Sequence, residues 1–129
     1  MIEHRLEKFF SDRRNRRKYD IALVYLFGSA IDGRFGPRSD LDLGVLFKNH
    51  DHPREILTKS ALLQIDLARY LAHPVDLAIL NFASPILQHG VLRGKRIYAI
   101  HKASQEEFEE ATHSAYKKFS KALDRKFKP

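Results

Sequence analysis

Two aspartates, Asp40 and Asp42, open the run "DLDLGVLF", and a third, Asp76, sits inside "PVDLAIL", both places where a chain builds its interior. Residues i and i+2 of a strand point to the same side about 6.5 Å apart, so Asp40 and Asp42 project two carboxylates onto one face at the edge of a sheet. Left alone that pair is costly, because like charges repel at this range and a buried carboxylate loses its hydration. A divalent cation removes both costs. Mg²⁺ binds through one or two carboxylates, with waters and substrate phosphates filling the rest of its shell. With Asp76 the set becomes three carboxylates from two strands, as a paired-metal phosphoryl-transfer site requires for ions about 3.5 to 4 Å apart. The plain alternative has each aspartate capping a turn or meeting one of the 23 lysines and arginines. That would suffice for one aspartate, but not for three accompanied by Gly28-Ser29.

Other chemistries find less support. The chain has no G-x-x-x-x-G-K-[ST] loop and no G-x-G-x-x-G fingerprint, so it lacks those two routes to a nucleotide. "GRFG", Gly33 to Gly36, has the shape of a KH-domain loop, but with two free positions it is a weak match. His50 and His52 lie close together without an H-E-x-x-H helix or further ligands, and read as loop residues. Ser29 is not in a G-x-S-x-G elbow, so a serine hydrolase is not supported.

The carboxylates need rigid support, and the hydropathy pattern supplies it. Residues 21 to 27, "IALVYLF", are apolar on both faces, as in an interior strand, and Gly28 and Ser29 end it. Ser29 is placed to cap a short helical turn, and residues 32 to 39, with Gly33, Gly36 and Pro37, read as a loop. Residues 41 to 47 resume a strand with Leu41, Leu43, Val45 and Phe47 on one face and Asp40, Asp42, Gly44 and Leu46 on the other. A helix is expected over 53 to 72 with Ile56, Leu63, Leu67 and Tyr70 on its inner face, then strands over 75 to 80 and 96 to 100. Between those strands, Ser84 and Pro85 suit the cap and first position of a short helix. Helices also close both ends. Residues 2 to 17 carry Ile2, Leu6, Phe9 and Phe10 at helical spacing before a basic run, "RRNRRK", read chiefly as a solvated helix end. Near the C-terminus, Ser104 and Glu107 match a capping box, followed by a stripe of Phe108, Thr112, Ala115, Phe119 and Leu123. The expected fold is α/β in content (α+β), a small mixed β-sheet with flanking helices, as one domain over residues 1–129.

Composition bounds the partners. The 23 basic and 16 acidic residues leave a formal charge of +7, which favours anionic partners such as nucleotides, nucleic acid or an acidic protein. With no cysteine the chain has no disulfide, Cys-ligated zinc or thiol nucleophile, which is compatible with the cytoplasm. No run is long and apolar enough for a bilayer, so a soluble, unprocessed cytoplasmic protein is expected.

Gly28-Ser29, ten residues, then Asp40-x-Asp42 match the G-S-x10-D-x-D signature of the nucleotidyltransferase superfamily related to DNA polymerase β. In size and order the chain resembles the minimal nucleotidyltransferase (MNT) type over about residues 20 to 120, with "VDLAIL" carrying the third carboxylate and "GKRIYAI" similar to a late Gly-x-x-x-Tyr strand. The resemblance implies a polymerase β-like fold and ATP as substrate. It implies Mg²⁺ at Asp40, Asp42 and Asp76, and triphosphate contacts from Gly28 and Ser29. It also implies a partner, since many such proteins are antitoxins of a HEPN-domain ribonuclease and members transfer AMP to a tyrosine of that toxin. Two other readings share the scaffold: an antitoxin that neutralises by binding alone, and transfer to a small molecule or an RNA end. One departure stands out, because Asp32 occupies the place, three residues after the motif serine, where the family often has arginine; Arg34 and Arg38 are the nearby cations.

Overall fold

The computed structural model describes residues 2–48 and 52–127. Its centre is a four-stranded sheet in the order β3-β2-β1-β4, formed by β1 (Ile21–Phe27), β2 (Leu41–Phe47), β3 (Val75–Ile79) and β4 (Lys95–Ala99). β1 pairs antiparallel with both β2 and β4, whereas β2 and β3 run parallel. The sheet is therefore mixed. Parallel neighbours need a crossover, and here it is helix α4 (Pro53–Leu71).

β1 is buried along almost its whole length because both of its faces are covered. On one side Ile21, Val24 and Leu26 join Leu41, Leu43, Val45 and Phe47 of β2 in a core with helices α1 (Ile2–Ser11), α2 (Arg13–Tyr19) and α4. On the other, Leu23 and Tyr25 pack with Leu80 and with Val91 of α5 (Pro85–Leu92). Helix α6 (Lys102–Phe127) reaches that second core through Phe108 and through Glu109, which accepts a 2.7 Å hydrogen bond from the Tyr25 hydroxyl. Gly94 brings β4 onto the sheet: a Cβ there would lie 2.1 Å from the Leu26 carbonyl oxygen, an approach only glycine permits.

The structure corrects four details. The N-terminal helix breaks at Asp12, whose side chain caps α2 by accepting from Arg14 N at 2.9 Å. Such a cap competes with continuation of the helix. Ser104 caps nothing, because α6 already starts at Lys102 and places Ser104 inside its first turn. The stripe on α6 is shallow: Thr112 is its one buried member among the described residues, and Leu123 is exposed. Tyr70 is not inward. It stays exposed against Phe9 and Arg5 while Leu71 takes the buried position. Ser84 does cap α5, accepting from Leu87 N at 3.2 Å. Of the two loop histidines, His50 lies outside the described residues.

Candidate active site

The sequence-predicted residues meet at one end of the sheet. Phe27, the last residue of β1, pairs with Asp42 of β2, and Asp42 pairs on its other side with Asp76 of β3. Two carboxylates thus face across adjacent parallel strands in register, where directly opposite Cβ atoms are about 5 Å apart. Asp40 lies just before β2 and is exposed, as is Asp76; Asp42 is half-buried.

Gly28 turns the chain directly above this pair. Its backbone, φ 74° and ψ −145°, belongs to a region that side chains avoid. A Cβ at Gly28 would also come within 2.5 Å of Asp42 Oδ2. Glycine is therefore required twice, for the turn and for room beside the carboxylate. The turn opens the short helix α3 (Ser29–Asp32), in which Gly28, not Ser29, is the N-cap and Ser29 is the first helical residue. Ile31 and Asp32 donate their N–H groups to the Gly28 carbonyl, so the N–H groups of Ser29 and Ala30 stand at the open first turn. A first turn of this kind attracts phosphate oxygens.

Among the described residues, no ion pair engages Asp40, Asp42 or Asp76. Burial, then Asp76, then Asp40 all push the Asp42 carboxyl above its ordinary range, each acting in the same direction. Among the described residues no group of three histidine, aspartate or glutamate side chains is arranged to hold a metal ion. An open set of hard oxygen donors, uncompensated and partly exposed, fits Mg²⁺, which keeps several waters and takes substrate phosphate oxygens as ligands.

The connecting loop is tied down at the point where Asp40 emerges. The Ser39 carbonyl meets His73 Nε2 at 2.6 Å, Leu41 N donates to the Pro74 carbonyl at 3.0 Å, and Phe35 packs on the His73 ring at 5.0 Å. His73 is the positioning residue that the sequence reading passed over. Its position immediately before Pro74 and the third strand was the available signal. Of the two nearby cations, Arg34 and Arg38, Arg34 is engaged by Asp32, with Nη2 2.5 Å from Oδ2. Tyr98 of the Gly-x-x-x-Tyr strand pairs with Val24, mid-strand, so it is not one of the groups around Asp42.

A family model described as "Polymerase beta, Nucleotidyltransferase" matches residues 8–103. The chain belongs to this nucleotidyltransferase family. The mixed sheet with flanking helices is that family's fold, as expected from the motif. No curated protein matches the chain at a significant level. Several solved structures do. One, a toxin-antitoxin complex with AMP-PNP, is 28% identical at TM-score 0.75, covering 97% of this chain and 94% of that one. A second contains a tri-AMPylated HEPN toxin of Shewanella oneidensis with its MNT antitoxin, at 27% identity and TM-score 0.70 over 97% of this chain and 93% of that one. A third, an MntA toxin-antitoxin variant with two Asp-to-Glu changes two positions apart, is 26% identical at TM-score 0.74 over 95% and 92%. All three of these structures are of toxin-antitoxin complexes.

Proposed function

We propose that this protein, as a single nucleotidyltransferase domain over residues 1–129, is a Mg²⁺-dependent adenylyltransferase that moves AMP from ATP to a tyrosine hydroxyl of a HEPN-domain toxin and so acts as its antitoxin. The observation that carries the reading is the Asp42–Asp76 register with Gly28 packed against Asp42. The neighbours support the acceptor class, since one is a complex of an MNT antitoxin with an AMPylated HEPN toxin and another holds the ATP analogue AMP-PNP. No described helix is long and apolar enough to cross a membrane, and ATP-dependent control of a ribonuclease toxin belongs in the cytoplasm.

In this reading the N–H groups of Ser29 and Ala30, with the Ser29 hydroxyl, hold the terminal phosphates of ATP. Gly28 lets those phosphates approach the backbone. Asp40 and Asp42 would hold the metal that binds the triphosphate, and with Asp76 they would hold the one that activates the attacking hydroxyl. Bound there, Mg²⁺ would stabilise the charge on the phosphates and lower the pKa of the attacking hydroxyl. The tyrosine oxygen bonds to the α-phosphorus in line with the bond that breaks, its proton leaves to solvent, and pyrophosphate departs. The protein's task is placement and charge, because phosphoryl transfer asks for little else.

The test is mass spectrometry of the HEPN partner after incubation with this protein, ATP and Mg²⁺. Added AMP on a tyrosine is expected, and its loss in Asp42→Asn is expected. Toxin inhibition that persists without ATP and in Asp42→Asn would replace the enzyme by a binding antitoxin.

A further inference from the structure

The opposite end of the sheet carries a second cluster of charge. β2 begins at Leu41 beside the carboxylates and ends at Phe47, so the two ends are separated by about 20 Å at the usual rise per residue. At this far end a pocket of about 230 Å³ is lined by Arg13, Arg16 and Arg17 of α2, Lys48 after β2, Tyr98 of β4, and Asp20. The carboxylate of Asp20 is already paired with Lys59, so the four cations dominate the pocket.

Two details show that these cations are more than a solvated helix end. Arg16 Nε and the Tyr98 hydroxyl are both shut off from water with no hydrogen-bond partner, and the Arg16 guanidinium lies 5.9 Å above the Tyr98 ring. Buried polar groups are nearly always paired, so two neighbouring unpaired ones in the wall of a cationic pocket call for a missing acceptor. An oxyanion bound among these cations would supply it. By contrast, Arg14 and Lys18 on the same helix are not among the pocket's lining, and pair with Asp12 and Asp66.

A larger cleft of about 760 Å³ adjoins this pocket, and Lys48 and Ile100 line both. Its wall is mainly apolar, with Phe82 and Phe108, and includes His101, while the Asn81 and Gln88 amides in it already bond the Phe47 and Leu80 backbone. A cationic pocket that opens beside a cleft with aromatic walls matches a phosphate joined to a planar ring. We propose that this end of the molecule is a second, non-catalytic site for a nucleoside phosphate, with the phosphate among Arg13, Arg16, Arg17 and Lys48 and the ring in the adjoining cleft. An acidic peptide would use the cations and leave the cleft without a reason. The proposal does not depend on the adenylyltransferase reading, because it concerns the other end of the sheet and needs no metal.

The experiment is calorimetric titration of the full chain in the absence of divalent cations, so that the carboxylate end takes no metal-bound triphosphate. The probes are AMP, adenosine, ribose 5-phosphate, a short 5′-phosphorylated RNA and polyglutamate. AMP is expected to bind at least about tenfold more tightly than adenosine or ribose 5-phosphate, since each lacks half of the contacts. The pair R13Q/R17Q is expected to weaken AMP about tenfold or more, and Tyr98→Phe by a few-fold. R14Q/K18Q removes the same charge outside the pocket and is expected to change affinity less than about twofold. RNA binding more tightly than AMP supports the site with a strand end as its source; the reverse supports it with a free nucleotide. Equal losses in the two double variants, or polyglutamate binding where AMP does not, would overturn the proposal.

Discussion

Asp42 concentrates the conflict between stability and activity in one side chain. It is half-buried, it opposes Asp76 in register, and burial and two like charges all raise its carboxyl above the ordinary value near 3.8. The folded protein therefore holds this proton more tightly than the unfolded chain, and the carboxylate costs stability as pH rises through the raised value. Below the ordinary value both states are protonated and the cost disappears. Asp42→Asn is accordingly expected to be more stable than the natural protein at neutral pH without metal, by denaturant titration, with the gap closing as pH falls below about 4. The same substitution is expected to lower AMP transfer at least about a hundredfold, because it removes a charge aimed at the reacting phosphates. Mg²⁺ is expected to raise the melting temperature of the natural protein more than that of the variant. A variant less stable than the parent at pH 7, with its deficit shrinking as pH falls, would mean that Asp42 is held by a partner charge. Gly28→Ala tests the neighbouring contact. Its Cβ would meet Asp42 Oδ2 at 2.5 Å on a backbone at φ 74°, so loss of transfer is expected together with destabilisation of about 1 to 3 kcal/mol.

Among the elements, the strands were more legible than the helix ends. "IALVYLF" and the alternation in "LDLGVLF" are read correctly because burial on two faces or on one is written directly into which residues are apolar. Helix boundaries depend on competition between local hydrogen bonds, which a pattern does not rank. Asp12 ends one helix by capping the next, and Ser104 sits three residues before Glu107 without acting as a cap. The two serines give a direct comparison: Ser84 accepts from Leu87 N, whereas the backbone around Ser104 is already helical. Ser84→Ala is expected to cost about 1 kcal/mol in chemical denaturation and Ser104→Ala less than about 0.5. The candidate site was legible in its carboxylates and glycine, which have no good structural excuse where they stand. His73 was not, because its contact with the Ser39 carbonyl joins residues far apart in sequence through a loop.

At the scale of the whole molecule, the sheet has carboxylates at one end, a cationic pocket at the other, and a long helix that outlasts the core it covers. α6 runs from Lys102 to Phe127, yet its attachments are concentrated in its first half. Phe108 meets the second core, Glu109 receives the Tyr25 hydroxyl, Thr112 is buried, and Tyr116 stacks on His89 at 3.8 Å. Beyond that stack Leu123 and Phe127 are exposed, Phe127 to 73%. Isolated helices of this length are marginal in water, so the distal half persists as a continuation of a docked segment and returns little stability to it. A chain ending at residue 118 is therefore expected to melt within about 4 °C of the full chain and to lose under about 1 kcal/mol. Its helical circular dichroism should fall only by the share of the removed residues. Ending the chain at residue 107 instead removes the Tyr25–Glu109 bond, Thr112 and the His89–Tyr116 stack, and is expected to leave the second core open and the domain unable to fold cooperatively. If the shorter cut at 118 were as damaging as the deeper one, the distal half would be part of the folding core, contrary to its exposure.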